Sequence, residues 1–204
     1  MEKVKTAVLV SGGGTNLQAL IDACADGRVT SAGISLVISN KPGVFALERA
    51  AKAGIASAVI ESAGKSRAEF EAELSAVLDE AGIELICLAG FMRVLSADFV
   101  KRYPRRMLNI HPSLIPSFCG DGFYGLHVHE AALERGVKVT GATVHYVNEI
   151  TDGGEIIIQK AVYIEEGDTP EILQKRVMRE AEHVIYPLAL EKAAAEIIIK
   201  EKTQ

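Results

Sequence analysis

Val8-Leu9-Val10-Ser11-Gly12-Gly13-Gly14-Thr15-Asn16-Leu17 is the stretch on which the reading of the fold turns. The apolar, β-branched run from Val4 to Val10 reads as a buried strand. Glycines follow, and Leu17, Leu20, Ile21 and Cys24 then recur at helical spacing. Strand, glycine turn and helix in that order open an α/β unit.

The alternation continues downstream. Further strands are expected at 34–39, 55–60, 83–88 and 107–110, with helices at 45–53, 66–81 and 97–102 between them. Ser66 with Glu69 three residues on forms a capping box for the helix at 66–81, and Gly82 can close it. A helix from Leu126 to Arg135 stops at Gly136. Strands at 139–147 and 156–164 are bridged by 148–154. The segment 169–200 reads as helix interrupted at Pro187, capped by Asp168 or Thr169 with Pro170 at its first position. Near-continuous apolar strands alternating with helices predict a largely parallel sheet covered on both faces, becoming mixed near the C-terminal strands. The fold class expected is therefore α/β, a single Rossmann-like domain over 1–204.

Length and composition agree with that. The 204 residues suit one globular domain, and 49% hydrophobic with 24% charged residues supply an ordinary core and surface. Only residues 200–204 are expected outside the ordered body. The net charge of −5 forms no basic stripe, which argues against nucleic acid as a partner. The cysteines, Cys24, Cys87 and Cys119, are far apart and odd in number, favouring a reducing compartment. The N-terminal apolar run from Ala7 to Val10 is too short for a signal region, and no stretch approaches the roughly 20 apolar residues of a membrane span. A cytoplasmic protein with no membrane partner is expected; monomer and homodimer both stay open.

Ligands of such sheets bind beyond the carboxyl ends of the strands. The polar residues there are 11–16, 90–93, 109–111 and 151–154, and these should converge. The glycine turn, with Gly14 leading into Thr15 and Asn16, suits a phosphate, because free helix-start amides face outward. The alternative is a tight turn without ligand. No Lys-Ser/Thr follows it, position 17 of the dinucleotide pattern is Leu, and the second strand ends at Ser39-Asn40 without an acidic residue. A triphosphatase loop and a nicotinamide cofactor are both disfavoured.

Asn109 and His111 stand two apart on an extended segment, so both side chains face one side. Pro112 keeps His111 out of a helical conformation. An amide and an imidazole together can donate to a carbonyl oxygen as it gains charge, which acyl transfer requires. Asp152, in Thr151-Asp152-Gly153-Gly154, can raise the imidazole pKa and help move a proton. A hairpin turn at Asp152 and a structural role for His111 remain the alternatives. His145, in a strand, can face the same cleft. His127 and His129 fall on different faces of their helix and lack a zinc-like ligand set, so no metal is expected. No Gly-x-Ser-x-Gly elbow occurs, so covalent catalysis has no support.

Four segments occur in order: Ser11-Gly12-Gly13-Gly14-Thr15-Asn16-Leu17-Gln18, Leu88-Ala89-Gly90-Phe91-Met92-Arg93, Asn109-Ile110-His111-Pro112-Ser113-Leu114-Ile115-Pro116, and Thr151-Asp152-Gly153-Gly154. On these the chain resembles the phosphoribosylglycinamide formyltransferases, folate-dependent enzymes of purine synthesis, over nearly its whole length. The resemblance implies that the amine of 5-phosphoribosylglycinamide attacks the formyl group of 10-formyltetrahydrofolate as cosubstrate. It implies a catalytic set of Asn109, His111 and Asp152. Gly14, Thr15, Asn16 and Leu17 would lie on the ribose phosphate, and Glu182 on the same substrate. Arg67, Met92, Arg93, Val94, Leu95 and Asn109 would meet the folate. Residues 1–100 would then be the phosphate-binding half and 101–204 the folate and catalytic half. A 10-formyltetrahydrofolate hydrolase would use the same triad with water. Such relatives usually carry an extra N-terminal domain, for which a first strand at Val4 leaves no space. The tRNA formyltransferases add a C-terminal domain. Two departures stand out. The segment 117–125, Ser-Phe-Cys-Gly-Asp-Gly-Phe-Tyr-Gly, is longer than in many relatives, and the run before Glu182 carries one extra residue.

Overall fold

A computed structural model describes residues 3–203. The first half runs β1 (Val4–Val10), α1 (Thr15–Ala25), β2 (Ala32–Ser39), α2 (Phe45–Lys52), β3 (Ala56–Val59), α3 (Arg67–Glu80) and β4 (Leu85–Leu88). There follow α4 (Ala97–Lys101), β5 (Met107–His111), α5 (Leu126–Arg135), β6 (Val139–Tyr146), β7 (Ile156–Tyr163), α6 (Pro170–Val177) and α7 (His183–Lys202). The strands form one sheet in the order β3-β2-β1-β4-β5-β6-β7. The first five are parallel, while β6 runs antiparallel to both β5 and β7. The mixed character expected near the C-terminal strands is present.

Alternation along β1 shows why the sheet is covered twice. Val8 and Val10 pack on one face with Leu17 and Leu20 of α1 and Leu190 of α7. Ala7 and Leu9 pack on the other with Phe70, Leu74 and Leu78 of α3 and Met107. Both faces of one strand are therefore core, which is why it reads as a continuous apolar run. From β1 the chain builds outward to β2 and β3, then returns to start again at β4 on the other side of β1. The crevice at that reversal is where an open α/β sheet receives its ligand.

The caps follow the sequence. Ser66 and Glu69 form the reciprocal capping box of α3. Thr169 accepts from the Ile172 amide, with Pro170 in the first turn of α6. Gly136 closes α5 with a left-handed φ of 73°.

Two expectations need correction. The C-terminal helical segment does not break at Pro187, which lies inside α7. The irregularity is a π turn over Met178–Glu182. The N–H that Pro187 lacks would have reached the carbonyl of His183, the first residue of α7, where the ladder has just been reset by the wider turn. A π turn also absorbs one residue beyond α spacing, which suits the extra residue before Glu182. Second, residues 200–202, expected outside the ordered body, continue α7, and Gln204 lies outside the described residues, as do residues 1 and 2 of the 1–204 domain expectation.

Candidate active site

The site is assembled along the carboxyl edge of the parallel strands. Ser11, just beyond β1, is its joint: its hydroxyl donates to Asn40 Oδ1 at 2.6 Å and accepts from the Met92 amide at 2.8 Å. Three strand ends are thereby tied together, those of β1, β2 and β4. Asn40, the residue that replaces an acidic strand end, spends its carbonyl on this joint and its amide on Ser62 at 3.2 Å. Leu88 of β4 pairs with Asn109 of β5, so the stretch from Gly90 begins beside Asn109. The four expected segments do meet.

Asn109 and His111 point the same way, as strand alternation requires, and Asp152 faces them both. Asp152 Oδ2 lies 3.5 Å from His111 Nδ1, and Oδ1 lies 3.5 Å from Asn109 Nδ2 and 3.6 Å from His145 Nε2. Antiparallel register puts His145 directly opposite Asn109. His145 Nδ1 is 2.9 Å from the Tyr146 carbonyl. A carbonyl only accepts, so Nδ1 carries the proton and Nε2 accepts from Asn109 Nδ2 at 3.2 Å. The second N–H of the Asn109 amide has only the long contact to Asp152.

His111 is 4% exposed. Its Nε2 donates to the Phe118 carbonyl at 2.8 Å. The 117–125 loop thus folds back over the imidazole, and the Gly120 amide donates to Asp152 Oδ2 at 2.9 Å. Phe118 and Asp152 both hold left-handed backbones, with φ of 49° and 53°, unusual for residues with side chains. The paired glycines after Asp152 permit the bend: a side chain at Gly154 would overlap the carbonyl of Tyr146.

Electrostatics divide the two groups. Burial pulls the His111 pKa below its ordinary 6.5, with Asp152 and the Phe118 carbonyl opposing it and His145 adding to the fall. Burial alone raises Asp152, but the neighbouring His145 and His111 rings and the Gly120 amide together hold its carboxyl below 3.8. Asp152 is therefore a carboxylate at neutral pH. The His111 pKa falls despite that neighbour because desolvation outweighs a contact as long as 3.5 Å.

On the other side of the crevice, Thr15 is exposed at the start of α1, and Asn16 is buried with its amide donating to Glu182 Oε2 at 2.6 Å. Glu182, in the π turn, is 6% exposed, and burial raises its pKa against the pull of Asn16. Leu17 is wholly in the core, its side chain turned away from the crevice-side residues of the turn. Among the residues the resemblance assigned to folate, Arg67 is exposed at the start of α3. Met92 is 51% and Val94 61% exposed. Arg93 stacks on Phe70, 5.4 Å from the ring centroid, and Leu95 packs at the margin of the core.

The histidines of α5 separate as their spacing predicts. His127 is at the surface beside Glu130, and His129 is fully buried with neither ring nitrogen partnered among the described residues. Sequence reasoning missed Phe118 and Gly120 as site groups. Both act through the backbone, which residue identity does not report. In the sequence Ser11 stands out only as part of the glycine turn.

Comparison with known proteins agrees. Residues 4–190 match the formyl transferase family model. The phosphoribosylglycinamide formyltransferase of Escherichia coli (strain K12) is 45% identical over 184 residues, 90% of this chain and 84% of that protein. The human trifunctional purine biosynthetic protein adenosine-3 is 50% identical over 195 residues, 95% of this chain but 19% of that protein; the chain thus spans about a fifth of the trifunctional relatives it matches. Glycinamide ribonucleotide transformylase 1 from Symbiobacterium toebii superposes with a TM-score of 0.88 at 44% identity, covering 95% of this chain and 89% of that one. With its site geometry and these relatives together, the chain belongs to the formyl transferase family, among the phosphoribosylglycinamide formyltransferases.

Proposed function

We propose that the protein transfers the formyl group of 10-formyltetrahydrofolate to the amine of 5-phosphoribosylglycinamide in purine biosynthesis. The observation that carries this is Asp152 set between His111, Asn109 and His145 at the strand ends, across a crevice from an open glycine turn. Gly14, Thr15, Asn16 and the Leu17 backbone receive the phosphate and ribose, with Glu182 closing that side. Arg67 and Met92 to Leu95, all from the first half of the chain, receive the folate together with Asn109 from the second.

In the reaction the amine nitrogen bonds to the formyl carbon and the carbonyl oxygen gains charge. The N–H of Asn109 that makes only the long contact to Asp152 and the N–H of His111 donate to that oxygen. For His111 to do so, the Phe118 carbonyl must give up Nε2. The bond from carbon to N10 of the folate then breaks. The amine loses a proton and N10 gains one; His111, as imidazolium, and Asp152, through water, are the groups that carry it. Asp152 favours the imidazolium by facing Nδ1 while Nε2 has its own acceptor.

No helix among the described residues is long and apolar enough to cross a membrane. A cytoplasmic place fits three free cysteines, and monomer and homodimer serve the chemistry equally. The deciding test mixes the protein with 10-formyltetrahydrofolate, with and without the ribonucleotide. Folate product formed only with the ribonucleotide is expected. Product without it would mean hydrolysis, and no product in either case would overturn the enzymatic reading.

A further inference from the structure

The glycine turn is not held by its own residues. Helix α2 lies directly against it, and two successive carbonyls of the turn are bound there. The Ala46 amide, in the first turn of α2, donates to the Gly12 carbonyl at 3.1 Å. Arg49, one helical turn on, donates from Nε to the Gly13 carbonyl at 2.8 Å. The Arg49 guanidinium is itself fixed, by Nη1 donating to Gln18 Oε1 at 3.0 Å and by stacking over the Phe45 ring at 4.8 Å.

A trans peptide points its C=O and N–H in opposite directions. Turning the Gly12 and Gly13 carbonyls toward α2 therefore turns the Gly13 and Gly14 amides away from it, toward the crevice. Neither amide meets a protein acceptor among the described residues. They continue the unpaired first-turn amides of α1 into one concave row of donors. Gly14 is required for the approach. Its φ is 70°, and a Cβ there would stand 2.7 Å from the Ala46 Cβ.

We propose that Arg49 is a positioning residue for the substrate phosphate. It acts through the Gly13 carbonyl, orienting the Gly14 amide toward a phosphate monoester, and need not touch the phosphate itself. The inference rests on the proposed function for the acceptor but concerns only its phosphate.

The test compares 5-phosphoribosylglycinamide with the same acceptor lacking its phosphate. In the wild-type protein both are assayed first; absence of any transfer there would defeat the functional reading and leave the positioning role to the binding experiment below. In Arg49→Met the ratio of kcat/KM for the phosphorylated over the unphosphorylated acceptor is expected to fall about tenfold, through KM for the ribonucleotide, as befits one misdirected hydrogen bond to a charged group. Arg49→Lys, which keeps a donor on a long stem, should recover part of it. An unchanged ratio would overturn the proposal, because a merely structural defect lowers both acceptors alike. The second measurement needs no variant. Inorganic phosphate titrated into the wild-type protein should shift the Gly13 and Gly14 amide resonances downfield in a saturable way. Shifts confined to other amides would equally sink the idea.

Discussion

The Phe118 carbonyl oxygen accepts from His111 Nε2 at 2.8 Å, so the imidazole already has an acceptor on the side away from Asp152. Both ring nitrogens thus face oxygen, an arrangement that favours a doubly protonated ring, while burial disfavours it. That balance depends on the loop carrying Phe118, which on the proposed mechanism yields before substrate meets Nε2.

The first prediction concerns that set. His111→Ala and Asp152→Asn should each lower turnover at least about a hundredfold, the low end for removing an acid–base group. Ribonucleotide binding, measured by calorimetry, should largely survive, because the glycine turn lies across the crevice. Near-normal turnover in both variants would refute the assigned roles.

The titration of His111 gives a second. Its pKa is below 6.5 because burial outweighs the Asp152 charge. Asp152→Asn removes the larger of the influences that raise it, so the midpoint of the ring proton shift, followed by NMR, should move further down. An upward move would show that the Asp152 charge does not raise the His111 pKa.

His129 supplies a third, on stability. It is fully buried, and burial, with a smaller push from His111, lowers its pKa to about 4. A folded-state pKa below the unfolded 6.5 means that the fold prefers the neutral ring. The stability concerned is present above pH 6.5 and is lost as pH falls from there towards about 4. The full loss amounts to at most about 3 kcal/mol. Urea unfolding at several pH values should show this slope, and His129→Gln should flatten it. An equal slope in the variant would place the acid sensitivity elsewhere.

Gly154 allows a fourth. A methyl group at this position meets the backbone of Tyr146 and Asn148, which cannot rotate aside. Gly154→Ala should cost about 1–3 kcal/mol of stability. Turnover should fall as well, because Asp152 hangs from the displaced loop. A thermal midpoint equal to wild type would disprove the steric account.

How much of this was legible in the sequence depended on whether side chains or backbone did the work. The strand alternation of β1, the capping box at Ser66 and the pairing of Asn109 with His111 are written in residue type and spacing, and each is found. Asp152 was legible only as a turn with a carboxylate; its partners come from a different part of the sheet. The Phe118 and Gly120 contacts are made by main-chain groups, identical in every residue, and so leave no mark on composition. Pro187 misled because a proline usually breaks a helix. Here the N–H it lacks would have served the His183 carbonyl at the very start of α7, and the helix runs on through it.

That π turn has one more effect. Each residue advances an α-helix by about 100°. In a regular helix one added residue would turn everything beyond it by about that angle, and either Glu182 would leave Asn16, or Tyr186, Ala189 and Leu190 would leave the sheet. The wider π turn over Met178–Glu182 takes up that residue within a single turn, so neither happens. The segment works as a phase adjuster: it lets α6 and α7 each keep an apolar face inward while bringing one carboxylate round to the crevice. A one-residue change of length is thus absorbed in that turn, whereas the same change further along α7 would swing its apolar face off the sheet.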